Sequence, residues 1–141
     1  MTRLNQEYHI VLTQDVIWGD MDAFQHVNNT VYLRYFETAR IAWFEKIGAN
    51  EHKAQTGIGP ILASIQCNYR LPLEYPDRIQ IACRGRILSP KKINTEYVVI
   101  SEKHGAVAAE GEGLLVYYDY NNSRSCEIPQ VIVTAIGPPL V

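Results

Sequence analysis

Cysteine is scarce in this 141-residue chain: Cys67, Cys83 and Cys126 are far apart, odd in number and free of any C-x-x-C spacing. A disulfide framework or a zinc site has too little to be built from, and buried thiols in a reducing compartment are the better reading. No apolar stretch approaches the roughly 20 residues that a membrane span needs. The opening Met1-Thr-Arg-Leu-Asn-Gln-Glu-Tyr-His9 carries no apolar run of the signal-peptide kind. The expectation is a cytoplasmic protein without a membrane partner. Neither sign of charge is in excess: 13 Lys and Arg against 15 Asp and Glu leave a formal net charge of -2. Such a balance offers no global attraction to nucleic acid, so any polyanion must be held by a local basic cluster. Repeats, low-complexity tracts and linkers are also missing, which predicts one domain over residues 1–141.

What is present is an ordinary globular composition, 47% hydrophobic and 20% charged, and a hydrophobic period that changes along the chain. Residues 7–18 alternate, with Tyr8, Ile10 and Leu12 on one face and an irregularity at Gln14-Asp15, and read as a strand. From Asn28 to Ile47 the apolar residues Tyr32, Tyr35, Phe36, Ala39, Trp43 and Ile47 fall at helical spacing. Asn28 or Asn29 can cap the start of this helix, and Gly48 stands where a left-handed stop is expected. Its apolar face is broad and aromatic, fit to be wrapped by a sheet.

Four alternating stretches follow. Ile61, Ala63, Ile65, Cys67 and Tyr69 share one face of 61–70, and Ile79, Ile81, Cys83 and Ile87 one face of 78–88. Residues 93–102 alternate again, and His104-Gly105 turns the chain into a long strand over 106–120. Gly111 and Gly113 inside it indicate a bend or a close approach by backbone or ligand. The tail after Pro129 fits a short helix or an edge strand, the helix being preferred. One long helix and five strands joined by short turns predict an α+β domain, an antiparallel sheet covering a single helix.

Between the first strand and the helix lies Trp18-Gly-Asp-Met-Asp-Ala-Phe-Gln-His-Val-Asn-Asn29. Asp20 and Asp22 precede a helix N-terminus, with His26, Asn28 and Asn29 in the same loop. A helix start presents unpaired N–H groups and partial positive charge, suited to a developing oxyanion. A nearby carboxylate can attack as nucleophile or serve as base toward water.

This segment, continued through Thr-Val-Tyr-Leu-Arg-Tyr-Phe-Glu-Thr-Ala-Arg40, resembles the signature of the 4-hydroxybenzoyl-CoA thioesterase-like branch of the hot-dog superfamily: D-x-D-x-x-x-H-V-N-N followed by Y-x-x-Y-F-E-x-A-R. Weaker echoes continue at Tyr75-Pro-Asp77 and at Ala109-Glu-Gly-Glu-Gly-Leu-Leu-Val-Tyr117. The resemblance implies a hot-dog fold, a five-stranded antiparallel sheet around one long central helix, and acyl-CoA thioester hydrolysis without metal or cofactor.

In residue terms the resemblance makes Asp22 the catalytic carboxylate, as nucleophile or general base, and the N–H near Asn29 the oxyanion donor. Asp20 would shape the loop, while His26 and Asn28 would orient it or touch the substrate. The loop Phe24-Gln25-His26 departs from the Gly-based loops of several members, so the mechanism transfers more securely to Asp22 than to its neighbours. Coenzyme A would run between two subunits, its phosphates met by Lys91 and Lys92, with Arg84 and Arg86 as further candidates. Homodimers, often paired into homotetramers, are implied as well. The alternatives are an acyl-carrier-protein thioesterase and a non-catalytic acyl-thioester-binding protein; hydratases of this fold pair His and Asp in a different motif.

Overall fold

The computed structural model describes residues 2–140. A short helix α1 (Thr2–Glu7) leads into strand β1 (Ile10–Asp15), and a 3-10 turn at Trp18–Asp20 opens the loop before the long helix α2 (Asn29–Ile47). Helix α3 (Ala49–Thr56) follows, then strands β2 (Ile58–Tyr69), β3 (Arg78–Ser89), β4 (Lys92–Ser101) and β5 (Ala106–Asp119). A two-residue strand β6 (Arg124–Ser125) and a last helix α4 (Gln130–Ile136) end the described chain. The sheet is antiparallel throughout, ordered β1-β3-β4-β5-β2, with β6 added to the end of β5. This is the expected curled sheet around a long helix.

Helix α2 begins and ends as its sequence directs. Asn28 is the cap: its Oδ1 accepts from the Thr30 N–H at 3.0 Å, satisfying one orphan donor of the first turn. Gly48 closes the helix at φ 78°, a left-handed turn that glycine adopts without strain. Phe36, Ala39 and Trp43 are fully buried against the sheet. The strands come close enough that only glycine fits at two crossings. A Cβ on Gly85 of β3 would lie 2.2 Å from Trp43, and one on Gly111 of β5 would lie 2.3 Å from Phe36. The close approach expected at Gly111 is therefore to the central helix and to the backbone of β2.

Three expectations are corrected. The first strand is shorter than 7–18, because residues up to Glu7 turn helical and Tyr8 joins a second apolar cluster on the outer face of the sheet. There Leu4, Ala82 and Val98 are buried together, so α1 covers part of a face that a lone sheet would leave wet. Helix α3 left no periodic signal because only Ala49 of its eight residues is buried. On β2 the pairing slips between Leu62 and Ser64, which breaks the single face drawn from Ile61 to Tyr69. Ile61 and Leu62, on opposite faces of this strand at the end of the sheet, are both exposed, at 40% and 39%. The tail forms the preferred helix, anchored by buried Ile132 and Ile136. No helix among the described residues is long and apolar enough to cross a membrane.

Candidate active site

The loop from Asp20 to Asn28 is a small hairpin clamped at its base. Met21 and Val27 pair as an isolated antiparallel bridge, and the Asp22 N–H donates to the His26 carbonyl at 2.9 Å. Inside it the Gln25 N–H returns to the Asp22 carbonyl at 2.9 Å, closing a three-residue turn. Two further bonds follow, one to the body of the protein and one across the base of the loop. The Val27 N–H donates to Leu73 O at 2.8 Å, and the Asn28 N–H to Asp20 O at 3.0 Å. Asp20 thus acts on the loop through its main chain, at the residue that caps α2.

Asp22 is exposed, yet its carboxylate is held. Oδ1 accepts the Phe24 N–H at 2.9 Å, an Asx turn that fixes the plane of the group and leaves Oδ2 unbonded among the described residues. It faces a cavity of about 380 Å³ lined by Trp18, Gly19, Met21, Asp22 and Gln25. At the adjoining start of α2, the cap occupies Thr30 N–H and the Val31 N–H bonds Asn28 O at 2.9 Å. The Asn29 N–H has no acceptor among the described residues and lies at the positive end of the helix. Tyr69, at the end of β2, donates its hydroxyl to Asn29 O at 3.0 Å and tethers the sheet edge to this residue.

His26 turns away from the carboxylate. Its Nε2 lies 4.0 Å from Glu74 Oε2, and Glu74 in turn meets Lys103 Nζ at 3.5 Å. Asn28 spends its side-chain oxygen on the cap and on the Thr30 hydroxyl, so it supports the helix start. Burial raises the pKa of a phenol near the loop and of the three thiols. Tyr35, under the loop, has its hydroxyl pushed up by burial and then by the charge of Asp20, which keeps it a neutral phenol. Burial likewise raises all three thiols, Cys83 to about 12, so no thiolate competes with the carboxylate at neutral pH.

The basic candidates lie elsewhere in the chain. Lys91 lies in the β3–β4 turn and Lys92 opens β4, the turn being bonded to the far end of β5 through Tyr117 N–H to Lys91 O. The site loop abuts the opposite end of β3, where Val16 N–H meets Asp77 O. The twelve residues of β3, at about 3.3 Å each, set an upper limit of roughly 40 Å on the separation of these ends. Arg84 is engaged on the outer face, with Nε on Glu96 at 3.1 Å, Nη1 on Glu7 O at 3.1 Å and its guanidinium over the Tyr8 ring. A wider groove of about 590 Å³ runs beside the loop along Tyr75, Asp77, Arg78 and Lys103, and a polar hollow lies on the outer face by Glu96 and Glu112; neither contains Asp22. Sequence reading missed the cavity walls Trp18, Met21 and Gln25, and also Tyr69, which is 40 positions from its partner and had no local signal.

Comparison with known proteins places the chain in a family. The model described as "Thioesterase-like superfamily" matches residues 16–136. The long-chain acyl-CoA thioesterase FadM of Escherichia coli is 28% identical over 105 residues, 74% of this chain and 80% of that protein. Among solved structures, the PA2801 protein of Pseudomonas aeruginosa superposes with a TM-score of 0.79 at 30% identity, covering 90% of this chain and 97% of its own. A thioesterase of Thermus thermophilus complexed with coenzyme A and Zn reaches a TM-score of 0.79 at 28% identity, over 92% of this chain and 98% of that one.

Proposed function

Since the chain belongs to the Thioesterase-like superfamily and is a thioester hydrolase, we propose that it hydrolyses acyl-CoA to free acid and coenzyme A with Asp22 as the working carboxylate. The observation that carries this reading is that one clamped loop holds both a pinned carboxylate, one oxygen on the Phe24 N–H, and an unengaged N–H at Asn29 where it enters the helix. The carboxylate takes a proton from water as the water oxygen bonds the thioester carbon, or bonds that carbon itself. In either route the carbonyl electrons move onto oxygen, and the Asn29 N–H, fixed before reaction, meets that charge. Collapse of the tetrahedral species breaks the C–S bond, and the thiolate leaves to take up a proton; where Asp22 itself has bonded the carbon, water then cleaves the resulting acyl–Asp22 anhydride, releasing the acid and the free carboxylate. Coenzyme A bound to the T. thermophilus relative, and the acyl-CoA activity carried in the name of the E. coli one, support CoA as the thiol.

The working unit in this reading is a dimer. Strand β2 ends the sheet with an unpaired edge and the exposed apolar residues Ile61, Leu62 and Tyr69, which a second copy would cover. Lys91 and Lys92 lie toward the opposite end of the strands from Asp22 within one chain, so they would serve CoA phosphates in the partner's site.

A panel of acyl-CoA thioesters, assayed by thiol release with wild type and Asp22→Asn, tests the reading. Asparagine keeps the Oδ1 contact to Phe24, so its melting temperature should match wild type while kcat falls about 10²–10⁴-fold. Absence of thiol release from every thioester by the wild type, or full activity in the variant, overturns it. Release only from an acyl carrier protein thioester would move the assignment to that carrier.

A further inference from the structure

Gln25 sits in the left-handed region at φ 65°, in the very turn that holds Asp22. In a three-residue hairpin loop this position is the one that glycine normally fills, since a Cβ there crowds the backbone. Asparagine and aspartate offset such crowding with a short local hydrogen bond, which the longer glutamine side chain is poorly placed to make. Among the described residues the Gln25 carboxamide bonds nothing, and Gln25 is one of the residues that line the cavity of about 380 Å³ with Asp22, Trp18, Gly19 and Met21. A strained backbone that delivers a free amide into a site is a sign of use.

We propose that Gln25 is a substrate-positioning residue whose carboxamide pairs with an amide of the thiol arm of the substrate. The inference rests on the Asp22 reading for the location of the thioester. Gln25 is exposed at the rim, next to Phe24, which is 83% exposed. In the Asp22 reading the reacting carbonyl lies between the free Asp22 oxygen and the Asn29 N–H. The part of the substrate passing the rim is then the arm behind the sulfur, which in coenzyme A carries secondary amides. A carboxamide presents one donor and one acceptor in a plane, the complement of such an amide. The contact concerns binding of the arm, so it is made equally before and during reaction and acts on KM rather than kcat.

The decisive variant is Gln25→Gly, which keeps the left-handed backbone and removes only the side chain. Its melting temperature should equal or exceed that of the wild type, because glycine relieves the strain. KM for acyl-CoA should rise about three- to tenfold, the range of one net hydrogen bond, with kcat within about twofold. The rise should be at least threefold greater for acyl-CoA than for an S-acyl thiophenol, which has no amide arm. An unchanged KM for acyl-CoA, an equal rise with both thioesters, or a lowered melting temperature would overturn the proposal. Calorimetric titration with coenzyme A itself reads the same contact without turnover. If the wild type proved inactive, the Asp22 reading would fall, and weaker CoA binding by Gln25→Gly would still support the arm contact while equal binding would remove it.

Discussion

Substituting Gly111 by alanine tests the packing that lets the sheet wrap its helix. The added Cβ would lie 2.3 Å from Phe36 Cε2 and 2.5 Å from Gln66 O, where ordinary contact needs about 3.5 Å or more. Neither neighbour can give way cheaply. The Phe36 ring is fully buried and stacked on Tyr97 with centroids 4.8 Å apart, and Tyr97 is itself bonded to Arg40 and Thr95. Gln66 O belongs to β2, whose Cys67 pairs with Gly111. One surplus methyl group in a packed core costs about 1–3 kcal/mol, and two blocked directions argue for the upper end. Against this stands the unfolded-state gain of Gly→Ala, about 0.4–1 kcal/mol. The net loss is about 2 kcal/mol, which for a domain of this size lowers Tm by about 4–8 °C. Thermal unfolding followed by circular dichroism measures it, with Gly19→Ala as control, since a Cβ there meets nothing within 4 Å. A Gly111→Ala protein as stable as wild type would show that helix and sheet are farther apart than described.

Removing the Tyr69 hydroxyl as Phe cuts the tether on Asn29 O; kcat should fall about two- to tenfold with KM little changed, as expected for a loosened oxyanion donor, and an unaltered kcat would detach Tyr69 from the site. Mixing Asp22→Asn subunits with Lys91→Gln/Lys92→Gln subunits should restore a share of wild-type kcat/KM at low acyl-CoA, because one site of the mixed dimer then has both Asp22 and the lysines; no restoration in demonstrated mixed dimers would refute service across the dimer. His9 titrates below its ordinary value, chiefly because it is buried and secondarily because Lys46 and Arg84 repel its charged form. Its Nδ1 accepts the Gly85 N–H at 3.2 Å, which requires that nitrogen to be unprotonated. The unfolded chain therefore binds the proton more readily: this stability is full above about pH 6.5 and is lost as pH falls toward the depressed value. Melts at pH 7.5 and 5.5 should show a greater loss for wild type than for His9→Asn, whose amide oxygen can accept the same N–H; equal losses would remove His9 from the acid response.

The fold was legible where one periodicity ran long enough. Twenty residues at helical spacing, closed by Asn28 and Gly48, defined α2 almost to the residue, and alternation defined β3, β4 and β5. The short helix α1 and the polar helix α3 were not legible, because six residues show too little period and an exposed helix shows none. The candidate site divides in the same way. Asp22 and Asn29 belong to one continuous segment, so their proximity to a helix start follows from local sequence alone. Tertiary structure decided that Asp20 works through its carbonyl, that His26 faces Glu74, and that Tyr69 and Leu73 brace the loop from 40 or more positions away. It also decided that Lys91 and Lys92 lie toward the opposite end of the strands from Asp22. Distance along a chain says nothing about which end of an antiparallel sheet a turn will occupy; only the register of the strands assigns that.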